Sequence, residues 1–317
     1  MSRLLTPSNV YVVEYPEALE FCKTQEKVLW FADEIKVEKD VHDILVNMTE
    51  AERHGVITTL KLFTQYELLV GDDYWQRVFR DFQKPACVSR MANMFSFVEL
   101  NVHSPFYAKI NEALGLANEK FYTEYVNDPV LSERMQYLEV QSNKTLPEFL
   151  MTLALTEGAV LYSNFAFLKH FQSNGKNKLV NIVRGINMSA RDEYLHSEAS
   201  AWLFRTLNEE QGNDATELYD KFLALAHTVR DHEYKIVDMI FDKGPIEGIT
   251  DVQMKHFIDS RINLVGRNLG FKNLYEVKYN PIKTWFEDGI NNYQMLDFFT
   301  GTGREYTRSW EEEAFEW

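Results

Sequence analysis

Six residues of this 317-residue chain combine the types and spacing that metal chemistry requires: Glu67, Glu99, His103, Glu157, Glu193 and His196. Each falls inside an apolar helical stripe instead of on the polar face opposite it. Leu60, Phe63 and Glu67 are three and four apart, and Phe95, Glu99, His103, Phe106 and Ile110 keep a similar step. Leu150, Ala154, Glu157, Leu161 and Phe165 repeat the pattern, as do Ile186, Ala190, Glu193, His196 and Leu203. An acid in a buried stripe loses its solvation and needs compensation. Several carboxylates cannot stay ionised together in a core without positive charge, and a pair of divalent ions supplies it. Four carboxylates and two neutral imidazoles can hold two ions, with two carboxylates free to bridge. This oxygen and nitrogen set suits iron or manganese. Dinuclear carboxylate centres in helix bundles take one Glu from each of two helices and Glu-x-x-His from each of two others. Glu193 and His196 match that pair outright. Glu99 and His103 are four apart, which is still one helix face, so ligation remains feasible; a π-bulge is another way to take up the extra residue.

The elements that must position these residues are legible as long helices. Thr49 and Glu52 form a capping-box signature ahead of a helix running to about residue 79, which Lys84-Pro85 ends. Further helices are expected at about 89–114, 118–126, 130–141, 147–171, 177–207, 215–241 and 251–269. Pro147 opens one of them, and Gly115, Gly270 and the Ser173-Asn174-Gly175 loop close others. No βαβ rhythm or internal repeat interrupts them. The reading is an all-α helical bundle over residues 46–290 with flanking helices, an irregular N-terminal segment over 1–45, and a tail over 291–317.

Composition narrows the function. The chain carries 33 Lys and Arg against 48 Asp and Glu, a formal net charge of −15, which disfavours nucleic acid or an anionic membrane as partner. Cys22 and Cys87 make neither a disulfide framework nor a CxxC pair and suit a reducing cytosol. No signal-like N-terminus and no run of about eighteen apolar residues is present. The expectation is a soluble cytoplasmic protein with no nucleic-acid or membrane partner.

Arg191-Asp192-Glu193-Tyr194-Leu195-His196 resembles the RDE-x-x-H segment of the small, radical-generating subunit of class I ribonucleotide reductase, a ferritin-like family. The similarity covers most of the chain: Trp30 within Val28-Leu29-Trp30-Phe31, Ala154 to Gly158 with Phe165, and Asn280-Pro281-Ile282 with Trp285. The resemblance implies Glu67, Glu99 and His103 as ligands of one metal and Glu157, Glu193 and His196 as ligands of the other, with Glu99 and Glu193 bridging. It implies two ions per chain, as Fe/Fe, Mn/Mn or Mn/Fe. It makes Tyr107 the radical-storing tyrosine, shielded by Phe106, Leu161 and Phe165. A relay would run through His103, Asp192 and Trp30 to a tail tyrosine, Tyr306. It also implies a homodimer whose acidic, aromatic C-terminus docks on a large subunit that reduces ribonucleotides. Three positions depart from the family pattern: the Glu99 to His103 spacing, Ser189 where an apolar residue commonly lines the tyrosine pocket, and Leu161 in place of an aromatic. Some members use a manganese-containing oxidant without a tyrosyl radical, which leaves the metal and the role of Tyr107 open. Competing readings are a dinuclear oxidase or oxygenase acting directly on a small substrate, a ferritin-like metal store, and a purely structural bundle.

Overall fold

The capping box forms as the sequence dictates: the Thr49 hydroxyl accepts the Glu52 amide at 3.2 Å and the Glu52 carboxylate accepts the Thr49 amide at 2.9 Å. The structure, a computed structural model, describes residues 2–173 and 175–287. Among these it is helical, and the sole bridge pair is the isolated Ile246 with Ile249. In chain order the helices are α1 (Pro16–Val28), α2 (Glu50–Leu68), α3 (Gln76–Asp81), α4 (Val88–Val98), α5 (Ser104–Ala113) and α6 (Glu119–Asn127). They continue with α7 (Pro129–Gln141), α8 (Leu146–Leu155), α9 (Tyr162–Lys169), α10 (Val180–Gln211), α11 (Ala215–Ile240) and α12 (Asp251–Leu269).

Three of the long helices are not regular. A π segment at Leu69–Trp75 joins α2 to α3, another at Glu99–His103 joins α4 to α5, and a third at Thr156–Val160 lies between α8 and α9. The second takes up the extra residue between Glu99 and His103, the alternative that their spacing leaves open. The other two carry no such signal, because Glu67 and Glu157 each stand alone on their helix.

Two boundaries differ from expectation. α10 starts at Val180, three residues later than the pattern suggests, because Asn177 and Leu179 take the left-handed φ values of 50° and 58°. It also runs past residue 207 to Gln211, where Gly212 at φ 66° makes the left-handed stop. The N-terminal segment contains α1 and then short turns at Ala32–Glu34, Val37–Asp40 and Asp43–Asn47. It packs through α1 against α4 and α10. Tyr306 and the tail beyond residue 290 lie outside the described residues.

The core runs between α2, α4, α8, α10 and α12. Trp30, Phe63, Trp75, Phe95, Phe106, Tyr107, Leu161 and Phe165 are all fully buried in it. Burial on this scale is the main favourable contribution to the fold, at roughly 25 cal/mol for each Å² of apolar surface removed from water.

Candidate metal centre

All six chemistry-bearing residues point into that core. Glu99, His103, Glu193 and His196 have no solvent exposure, and Glu67 and Glu157 have 1%. Glu67 ends α2 just before its π segment. Glu99 and His103 bound the second π segment, Glu157 lies in the third, and Glu193 and His196 are three apart on α10.

Both imidazoles turn Nδ1 inward. His103 Nδ1 lies 2.8 Å from Glu99, 3.1 Å from Glu193 and 4.0 Å from Glu67. His196 Nδ1 lies 2.6 Å from Glu99, 3.6 Å from Glu193 and 3.7 Å from Glu157. Glu99 faces His103 with Oε2 and His196 with Oε1, and Glu193 faces them with Oε1 and Oε2 respectively. Two overlapping donor sets result: Glu67, Glu99, His103 and Glu193, and Glu99, Glu157, Glu193 and His196, each with its donor atoms within 4.8 Å of one another.

These residues fit a pair of ions. Both oxygens of Glu67 and of Glu193, one each of Glu99 and Glu157, and His196 Nδ1 are buried without a hydrogen bond. Leaving one such group unmade costs about 1–3 kcal/mol, so a set of them converging on one place calls for cations. With protons alone as compensation, the acids divide. Burial and then the charges of Glu99 and Glu193 push Glu67 far above the usual carboxylate range, and burial and then Glu193 and Glu99 do the same to Glu157. Burial works the same way on Glu99, but His103 and His196 outweigh it and hold that carboxyl low. The imidazoles answer in kind: burial opposes their charge, yet Glu99 and its neighbours raise His103 well above its ordinary value and His196 to about 9.

The outer nitrogens are fixed as well. With Nδ1 facing the carboxylates, Nε2 carries the proton in the metal-binding tautomer. His103 Nε2 donates to Asp192 Oδ2 at 3.3 Å, and that oxygen also accepts the Trp30 indole N–H at 2.8 Å. Arg191 holds the other Asp192 oxygen and the Val28 carbonyl. Trp30, Asp192 and His103 are thus connected as the sequence resemblance implies. His196 Nε2 donates to the buried Gln25 Oε1 at 3.2 Å, and the Trp75 indole N–H donates to Glu157 Oε1 at 2.5 Å. Sequence reading misses Gln25 and Trp75. Gln25 comes from α1, far along the chain, and Trp75 stands eight residues after Glu67. In a regular helix that offset turns away from the Glu67 face, but the residue that a π turn absorbs brings it back.

Tyr107 is buried on α5. Its ring stacks on Phe63 at 4.2 Å and 6°, and Phe63 stacks in turn on Phe165 at 5.3 Å and 14°. Phe106 closes another side at 5.1 Å. Burial and then the charge of Glu67 push the phenol well above its ordinary pKa, and the Ser189 hydroxyl acts in the opposite sense. Tyr107 is therefore a neutral phenol in an apolar slot beside the centre.

Residues 7–281 match the family model for ribonucleotide reductase, small chain. The chain belongs to that family. This small subunit is 27% identical, over 93% of its length and 83% of the other, to a probable ribonucleoside-diphosphate reductase small subunit of Invertebrate iridescent virus 3. It is 26% identical to the ribonucleoside-diphosphate reductase subunit beta of Halalkalibacterium halodurans, over 93% and 87% of the two chains. Among solved structures it resembles the dimanganese(II) NrdF of Streptococcus sanguinis with a TM-score of 0.77 at 21% identity, covering 90% of this chain and 99% of that one. That likeness shows the fold, and within it this chain gathers its own buried cluster of four carboxylates and two histidines. The small subunit generates an oxidising equivalent for a large subunit that reduces ribonucleotides to deoxyribonucleotides.

Proposed function

We propose that Glu67, Glu99 and His103 hold one ion and Glu157, Glu193 and His196 the other, with Glu99 and Glu193 bridging. The observation that carries this reading is that Glu99 and Glu193 each face both histidines, one oxygen to each. Iron, manganese or one of each fits the donors, and the dimanganese relative favours manganese among them. Held there, such ions would supply redox chemistry toward an oxygen species and so the oxidising power of the subunit.

The chain's own residues then do three things. Phe63, Phe106 and Phe165 exclude water around Tyr107, so that an oxidised phenol survives there. Asp192 orients His103 and holds the Trp30 indole in contact with it, which makes Trp30 the inner station of a relay outward. Tyr306 in the tail is the next station, and the tail docks on the large subunit. The names of the relatives favour ribonucleoside diphosphates as the substrates of the complex. The reading includes a homodimer, for which Leu68 and Phe97 at 46% and 37% exposure supply apolar surface beside the first two π segments. It also includes a cytoplasmic location, in keeping with the free thiols Cys22 and Cys87. The division into 1–45, 46–290 and 291–317 follows these roles.

The test is anaerobic loading with iron, manganese or both, exposure to oxygen, and electron paramagnetic resonance of wild type and Tyr107→Phe. A tyrosyl signal in the wild type that is lost in the variant is expected. Full reductase activity of the variant with its large subunit would sink the assignment of Tyr107.

A further inference from the structure

The wide turn that carries Glu157 is held open from outside its own helix. A π turn closes i to i+5 and disturbs the ordinary ladder, so carbonyls near it need other donors or the turn relaxes to an α-helix. Here three side chains from three helices supply them. Ser197 Oγ of α10 donates to the Ala154 carbonyl at 2.9 Å, Tyr66 of α2 donates to Thr156 at 3.1 Å, and Arg261 Nε of α12 donates to Gly158 at 2.9 Å.

Arg261 is the costly member. It is 6% exposed, and among the described residues its contacts are a carbonyl and the face of Tyr162, 3.6 Å from the guanidinium carbon, with Glu287 adding a favourable charge but no ion-pair contact. Burying a guanidinium with no carboxylate in ion-pair contact is expensive and needs a return. Tyr162 is itself fixed by donating to the Ala190 carbonyl at 3.0 Å on α10. Gly158 completes the seat: a Cβ there would lie 2.3 Å from Ser197 Oγ and 2.4 Å from Val265, so both neighbouring helices press directly on this backbone.

We infer that Arg261 is a positioning residue for Glu157: by taking the Gly158 carbonyl it keeps the turn wide and so aims the adjoining carboxylate at the metal centre. This rests on the reading of Glu157 as a ligand. The role differs from that of Trp75, which holds the Glu157 side chain, because Arg261 holds the backbone from which that side chain springs.

The test is a double-mutant cycle read by manganese(II) titration of the full chain, with electron paramagnetic resonance of unbound ion as the signal. Wild type, Arg261→Met, Glu157→Ala and the double variant are compared. Arg261→Met alone is expected to weaken manganese uptake about tenfold or more. In the Glu157→Ala background it is expected to add less than about threefold, because the carboxylate it positions is gone. The same tenfold loss in both backgrounds, or none in either, overturns the proposal. If Arg261→Met does not fold, Tyr66→Phe, which removes the donor to Thr156, is taken through the same cycle with the same two readings. A Glu157→Ala protein that binds both ions with wild-type affinity overturns the ligand reading itself, and this proposal with it.

Discussion

At the scale of single residues, the proposed ligands have outer atoms that are already constrained. Trp75 occupies one oxygen of Glu157, Gln25 fixes the tautomer of His196, and Asp192 does so for His103. Removing such an outer contact usually costs about 10- to 100-fold in metal affinity. Trp75→Phe, which keeps an aromatic ring there but loses the indole N–H, is therefore expected to weaken manganese or iron binding by about that factor. A chelator competition giving unchanged affinity would refute the role of this indole. The six inward residues were legible because a charge inside an apolar stripe is an anomaly that one sequence can display. Their outer contacts were not, because Gln25 and Trp75 break no local rule: one is an ordinary glutamine in a helix, the other an ordinary buried aromatic.

At the scale of elements, the π turns matter more than helix length. Two of them carry Glu99, His103 and Glu157, and the third turns Trp75 onto the Glu67 face. Gly158→Ala tests how tightly one of these turns is seated. Its new methyl meets Ser197 and Val265, and overpacking of a core typically costs about 1–3 kcal/mol. The metal-free variant should lose about that much unfolding free energy and so unfold at a lower denaturant concentration, and a midpoint equal to wild type would show that the turn has room to spare. Helix existence was legible almost throughout from the 3.6-residue period. The widened turn at Glu99 to His103 was legible as one of two options in its four-residue spacing, whereas the other two leave no trace when only one ligand marks the helix. The late start of α10 was hidden because Leu179 gives no sign of a left-handed backbone, and Asn177 alone does not say where the helix begins.

At the scale of the whole molecule, the bundle assembles the candidate centre, and the proposed delivery runs through the chain ends. A chain shortened to residues 1–302 should sediment as a two-chain species and take up both ions like the full chain. It should lose reductase activity with the large subunit, since Tyr306 and the acidic aromatic terminus are gone. Activity at the full level would remove the tail from the function, and a one-chain species would remove the dimer. The arrangement of the N-terminal segment was the least legible part of the fold, because its contacts span more than 150 residues, from Gln25 and Trp30 to His196 and Asp192. That arrangement has a consequence for descent. His196 takes its outer contact from Gln25, and the Asp192 that holds His103 is itself held by Trp30, so both imidazoles lean on one short neighbouring stretch. Drift confined to that stretch can change how strongly each imidazole donates while all six ligands stay in place, so lineages can diverge in metal preference without ever passing through a form that cannot bind metal.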